Sequence, residues 1–123
     1  MSLEQAVAAA RAASSKTLDA TVVLDVGDLI GITDHFVVAS GRNDRQVRAV
    51  VDEVVAELKR MGASPLRREG GDDASWVLLD YGDLVVHVLG SEARGYYGLE
   101  RLWSDATRVE WDAAAVGGAG ARS

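Results

Sequence analysis

Asp80, Asp83 and His87 set two carboxylates and an imidazole close together, a donor set that suits a divalent cation. A second acid-rich stretch, Asp25, Asp28, Asp34 and His35, has the residue types of a general acid or base. Gly41 stands between an apolar run and a helical one, where phosphates often meet a helix N-terminus, with Arg42 and Arg45 close by. Each pattern has a plainer reading. Asp is a common turn residue, Asp25 and Asp28 flank Gly27, and Asp80 and Asp83 flank Tyr81-Gly82. No nucleophile motif lies near the second cluster, and Gly41 lacks the further glycine and the Lys-Ser/Thr of a P-loop. The acidic loop Gly70-Gly71-Asp72-Asp73 reads as solvated. Turns and solvated faces therefore outweigh catalysis or a metal site, and no cofactor is expected.

The bulk properties narrow the functions that remain. The chain has 123 residues, 48% hydrophobic and 26% charged, enough for one domain with its own core. It has no cysteine, which removes disulfides, thiolate zinc sites and a cysteine nucleophile. With 19 acidic against 13 basic residues the net charge is -6. Nucleic acid, bound largely through counterion release, is repelled by such a chain, so little direct contact with it is expected. A basic partner is favoured instead, through faster encounter. No run approaches the roughly 20 apolar residues of a membrane helix, and the N-terminus lacks the apolar core of a signal peptide. A cytoplasmic protein without membrane contact is expected.

The elements that must position these residues follow from periodicity. Ser2 to about Ser14 reads as a helix with Leu3, Ala6, Val7, Ala10 and Ala13 on one face. Its alanine-rich stripe predicts weak packing. Ala20–Val26 and His35–Ala39 read as strands. Asn43, with Gln46 three positions on, opens a helix. Val47, Val50, Val51, Val54, Val55, Leu58 and Met61 then recur at helical spacing, and Gly62 closes it. Pro65 to Glu69 is a short segment and residues 70–75 a polar loop. Trp76–Asp80 and Leu84–Leu89 form a hairpin. A last helical stretch holds Tyr96, Tyr97, Leu99, Leu102 and Trp103, interrupted at Gly95 and Gly98.

The hairpin carries the most functional information. With Tyr81 and Gly82 as its loop, Asp80 faces Asp83, Leu78 faces Val85 and Trp76 faces His87. Alternation then gives one wholly aliphatic side, Val77, Leu79, Leu84, Val86 and Val88, fit for the core. The other side mixes Trp76, Leu78, Asp80, Asp83, Val85 and His87. A core rejects the acids, and a solvated face does not need Trp76 and Leu78. An apolar patch rimmed by charge is what a protein interface presents, and tryptophan is a favoured hot-spot residue.

Three stretches resemble one family. Asp34-His35-Phe36-Val37-Val38-Ala39-Ser40-Gly41 with Arg45-Gln46-Val47 is similar to the first signature of the Iojap family of ribosomal silencing factors. Glu69-Gly70 and the block from Trp76 to Val88 resemble its central signature. Arg94, Tyr97, Leu99-Glu100, Leu102-Trp103 and Asp105 resemble its closing one. The likeness runs from about Leu18 to Ala106. His35 stands where many members have tyrosine, and Asn43 where many have serine. The resemblance implies a domain akin to the nucleotidyltransferase fold without its catalysis: active members carry a Gly-Ser turn followed by an Asp-x-Asp pair, whereas here Gly41 is followed by Arg42 and no Asp-x-Asp occurs. It also implies binding to the large ribosomal subunit through ribosomal protein number fourteen. Subunit joining would thereby be blocked in nutrient limitation, and some members form homodimers.

Together these readings predict an α/β (α+β) protein that is not an enzyme. It has a mixed β-sheet of about five strands with helices mainly on one face. Residues 1–16 form an N-terminal helix, 17–106 the domain and 107–123 a flexible Ala/Gly-rich tail. The expected partner-binding residues are Trp76, Leu78, Asp80, Tyr81, Asp83, Val85 and His87, with Tyr97 and Glu100 at the rim. A residual nucleotidyl-transferring enzyme, or a dimeric scaffold for another basic partner, are the alternatives.

Overall fold

A computed structural model describes residues 2–70 and 75–111, apart from the Leu102 side chain. The chain runs α1 (Ser2–Ser14), β1 (Val22–Asp25), α2 (Gly27–Ile30), β2 (His35–Gly41), α3 (Asp44–Arg60), β3 (Arg67–Glu69), β4 (Trp76–Asp80), β5 (Leu84–Gly90), α4 (Ser91–Tyr97), α5 (Leu99–Leu102) and β6 (Thr107–Val109). The strands form one mixed sheet of six, in the order β3-β4-β5-β2-β1-β6. Only β2 and β5 run parallel, and they are its centre. The α/β class stands, with a sixth strand.

That strand, β6, extends the sheet past the expected boundary at Ala106 by pairing with β1. Three residues at an edge carry too short a pattern for alternation to announce them. Residues 71–74 of the expected polar loop and 112–123 of the expected tail lie outside the described residues.

Two apolar layers cover the sheet. On one face α1 and α3 bury Val23, Val37, Ala39, Val77, Leu79, Leu84, Val86 and Val88. The α3 pattern is as expected: Val47, Val50, Val51, Val54 and Leu58 are buried. The Asn43 side chain accepts a hydrogen bond from the Gln46 amide at 2.8 Å, satisfying a donor the first helical turn leaves free. The expectation for α1 is corrected. Its buried face is Ala6, Ala9, Ala10, Ala12 and Ala13, while Leu3 is exposed. The small alanine side chains let the helix sit against α3 and β2 without displacing their valines. On the other face a smaller cluster gathers Val22, Leu24, Val26, Phe36, Val38, Leu89 and Leu99, with Ala93 and Trp103 at its edge. Covered on both sides, β2 is buried along its whole length, which explains its nearly continuous apolar run.

The hairpin register also departs from expectation. Asp80 pairs with Val85, Leu78 with His87 and Trp76 with Leu89. The turn is Gly82-Asp83, closed by the Tyr81 N–H donating to the Leu84 carbonyl at 2.8 Å. Gly82 takes φ +89, and its N–H donates to Asp80 Oδ1 at 2.8 Å. A left-handed residue at the first central position fits the strand twist, and the Asp80 carboxylate holds it there. The pairing moves by two positions, so every side chain keeps its face.

Candidate protein-docking site

The second sheet face is covered unevenly. Towards β1 the short C-terminal helices seal it. Towards β4 it opens, and Trp76, Leu78 and Val85 are half-buried. Tyr97 reaches over from α4, its ring 4.7 Å from that of Trp76, and Tyr96 stands edge-on to Tyr97 at 5.2 Å. Tyr96 is 84% exposed and Tyr97 52%. The result is an aromatic ridge continuous with an aliphatic patch. Rings are large and lose few rotamers on binding, so they suit a docking anchor.

His87 lies beneath this ridge, not on its rim. It is only 6% exposed. Its Nδ1 lies 3.2 Å from Trp76 Nε1, and an indole nitrogen can only donate. Nδ1 is therefore the acceptor and the proton sits on Nε2, which has no hydrogen-bond partner among the described residues. Phe36 packs edge-on against the imidazole at 4.8 Å, and Trp103 edge-on against Phe36 at 5.5 Å. Burial lowers the His87 pKa from 6.5 to about 4, so the ring is neutral at physiological pH. In this geometry it accepts the hydrogen bond of the Trp76 indole.

The acids expected to face a partner are in large part engaged within the chain. Asp80 caps the turn and lies 3.8 Å from Arg67. It does not stand opposite Asp83, which is exposed in the turn. The Asp83 carbonyl accepts from the Asp34 and His35 amides at 2.9 and 3.1 Å. Tyr81 turns to the α1 and α3 side, where its hydroxyl is buried without a partner among the described residues. Burial raises its pKa. Glu100 is forked by Arg94, at 3.2 Å from Nε and 2.8 Å from Nη2. That pairing, ahead of any opposing burial, holds the Glu100 carboxyl below its ordinary value.

A polar cluster at the carboxyl ends of β2 and β5 was not among the expected site residues. Asp19 Oδ2 accepts from Ser40 Oγ at 2.8 Å and Ser91 Oγ at 2.5 Å. These two bonds, Ser91's the stronger, keep the Asp19 pKa below its usual range. Arg94 Nη1 donates to Ser40 Oγ at 2.9 Å and to the Ala20 carbonyl. The members lie far apart in sequence. The one local signal is the Ser91-to-Arg94 spacing, which puts both on one helix face. Tyr96 was also missed, although a Tyr-Tyr pair between two glycines marks a short exposed element.

The other chemistry does not assemble. Among the described residues no group of three or more His, Cys, Asp or Glu is placed to hold a metal ion. His35 is buried, with Nδ1 2.7 Å from Ser2 Oγ. Gly41 is required by packing, since a Cβ there would lie 2.8 Å from the Val47 nitrogen. No described helix is long and apolar enough to cross a membrane.

Residues 1–122 match the family described as "Ribosomal silencing factor during starvation". The Bacillus subtilis protein named ribosomal silencing factor is 38% identical over 104 residues, spanning 85% of this chain and 88% of its own. The mouse protein named mitochondrial assembly of ribosomal large subunit protein 1 is 33% identical over 85 residues, spanning 67% of this chain and 37% of its own. A crystal structure from Chromobacterium violaceum superposes with a TM-score of 0.80 at 34% identity, covering 85% of this chain and 87% of that one.

Proposed function

The chain belongs to the family of ribosomal silencing factors, and on that premise we propose that it docks on the large ribosomal subunit through the Trp76–Tyr97 face. The partner surface is that of ribosomal protein number fourteen, and occupying it keeps the small subunit from joining. The protein acts in the cytoplasm as a repressor under nutrient limitation, without turning over a substrate. A second copy of the chain competes for the same face when no subunit is bound.

One observation carries the reading. A tryptophan, two tyrosines and two aliphatic side chains are left partly open on a sheet face whose remainder the chain seals itself. A standard interface buries roughly 800 Å² on each side, and a rigid wedge of that size has only to occupy space. Its binding free energy then competes with subunit association by mass action.

The test is co-sedimentation with purified large subunits, followed by subunit joining. The full chain binds and inhibits joining. Trp76→Ala keeps the fold and weakens docking by at least about 2 kcal/mol, roughly thirtyfold. Wild-type protein that fails to sediment with large subunits, or a Trp76→Ala variant of unchanged affinity, defeats the proposal.

A further inference from the structure

The two tyrosines of the docking face sit on α4, a helix that buries no residue of its own. Its only aliphatic side chain at the core edge is Ala93, half-buried. Beyond the Tyr97 ring against Trp76, the helix brings little apolar surface to the core. Its other anchors are polar, and those to Asp19 and Glu100 are charge-assisted, the stronger kind. Ser91 ties the start of α4 to Asp19 and lies 3.1 Å from the Gly41 carbonyl at the end of β2. One turn on, Arg94 reaches Ser40 on β2, the Ala20 carbonyl ahead of β1, and both carboxylate oxygens of Glu100 on α5. Its side chain is 12% exposed, so solvent screens these bonds only weakly.

We infer that Arg94 is a positioning residue for docking: through Ser40, with its partner Asp19, and through Glu100 it sets α4 so that Tyr97 stays against Trp76. This rests on the docking reading of that face. Arginine is suited to the task because its planar fork serves Glu100 with one edge and the sheet with the other, which an ammonium cannot do. A ridge ordered before encounter loses less entropy on binding.

The experiment is a double-mutant cycle on the full chain, read by affinity for purified large subunits, with near-UV circular dichroism of the free protein alongside. Arg94→Ala is expected to weaken docking about tenfold, to reduce the near-UV signal of the Trp76–Tyr97 pair and to leave the far-UV spectrum unchanged. Arg94→Lys recovers only part of either loss. The decisive arm is Arg94→Ala combined with Tyr97→Ala, which should bind no worse than Tyr97→Ala alone, because Arg94 acts through that ring. Additive losses, or an unchanged near-UV signal in Arg94→Ala, overturn the positioning role while the docking reading stands. If Trp76→Ala does not weaken docking, the docking reading falls and this assignment with it. Should Arg94→Ala not fold, Ser91→Ala and Glu100→Gln replace it in the same cycle with the same outcomes.

Discussion

His87 shows how burial changes the meaning of a residue. Read from its chemistry it is a metal ligand or a rim charge. In place it is an uncharged acceptor for the Trp76 indole, closed in by Phe36. Its pKa falls from 6.5 to about 4 on folding, so the unfolded chain binds its proton first as pH drops. The stability this group contributes is complete above pH 6.5 and is lost as pH falls towards about 4. The loss is on the order of 3 kcal/mol across that window. Urea unfolding at a series of pH values should show it, and His87→Gln, which keeps an acceptor but does not titrate, should flatten that part of the profile.

At the scale of elements, small residues decide what can approach what. The alanines of α1 and the glycine at the end of β2 are there because anything larger meets backbone or packed valines. Ala10→Leu is expected to destabilise the protein by about 1–3 kcal/mol through overpacking, as a lower urea midpoint without a changed slope. Gly41→Ala should act in the same direction, since its Cβ would lie 2.8 Å from the Val47 nitrogen. The attachment of α4 behaves differently because it is polar. Asp19 and Glu100 both hold their carboxyls below the ordinary values of 3.8 and 4.5. Their contribution is present above those values and disappears as pH falls below them. Near-UV dichroism should therefore report loosening of the aromatic ridge as pH falls below 4.5, at the acid end of the His87 window and beyond it.

The whole molecule is an acidic body with net charge -6 and a partly apolar face at Trp76 and Tyr97. Such a body meets a basic partner faster than a neutral one would. Asp83, exposed in the turn next to that face, is an acid placed to steer the encounter. Asp83→Lys is expected to slow association with large subunits several-fold at low salt, with the difference shrinking as ionic strength rises. Asp80→Lys should cost folding stability as well, because it removes the acceptor that holds Gly82. Stopped-flow association across a salt series separates the two, and a salt-independent rate in the wild type would remove steering from the account.

Periodicity in the sequence determined both sides of the hairpin, the buried stripe of α3 and its Asn43 cap. The face assignments outlasted a pairing error because a shift of two positions returns each side chain to the side it left. The fold class and the half-buried apolar side chains Trp76, Leu78 and Val85 on one sheet face were legible for the same reason. What alternation cannot say is which element will lie over a face. Only tertiary structure decided that α5 and the edge of α4 close half of the Trp76 side. That closure sends His87 inward and leaves Tyr96 outward. Nor do local patterns join Asp19, Ser40, Ser91, Arg94 and Glu100, whose contacts cross up to 72 positions of chain. Hydrogen bonds between distant segments exist only once packing has brought their ends together.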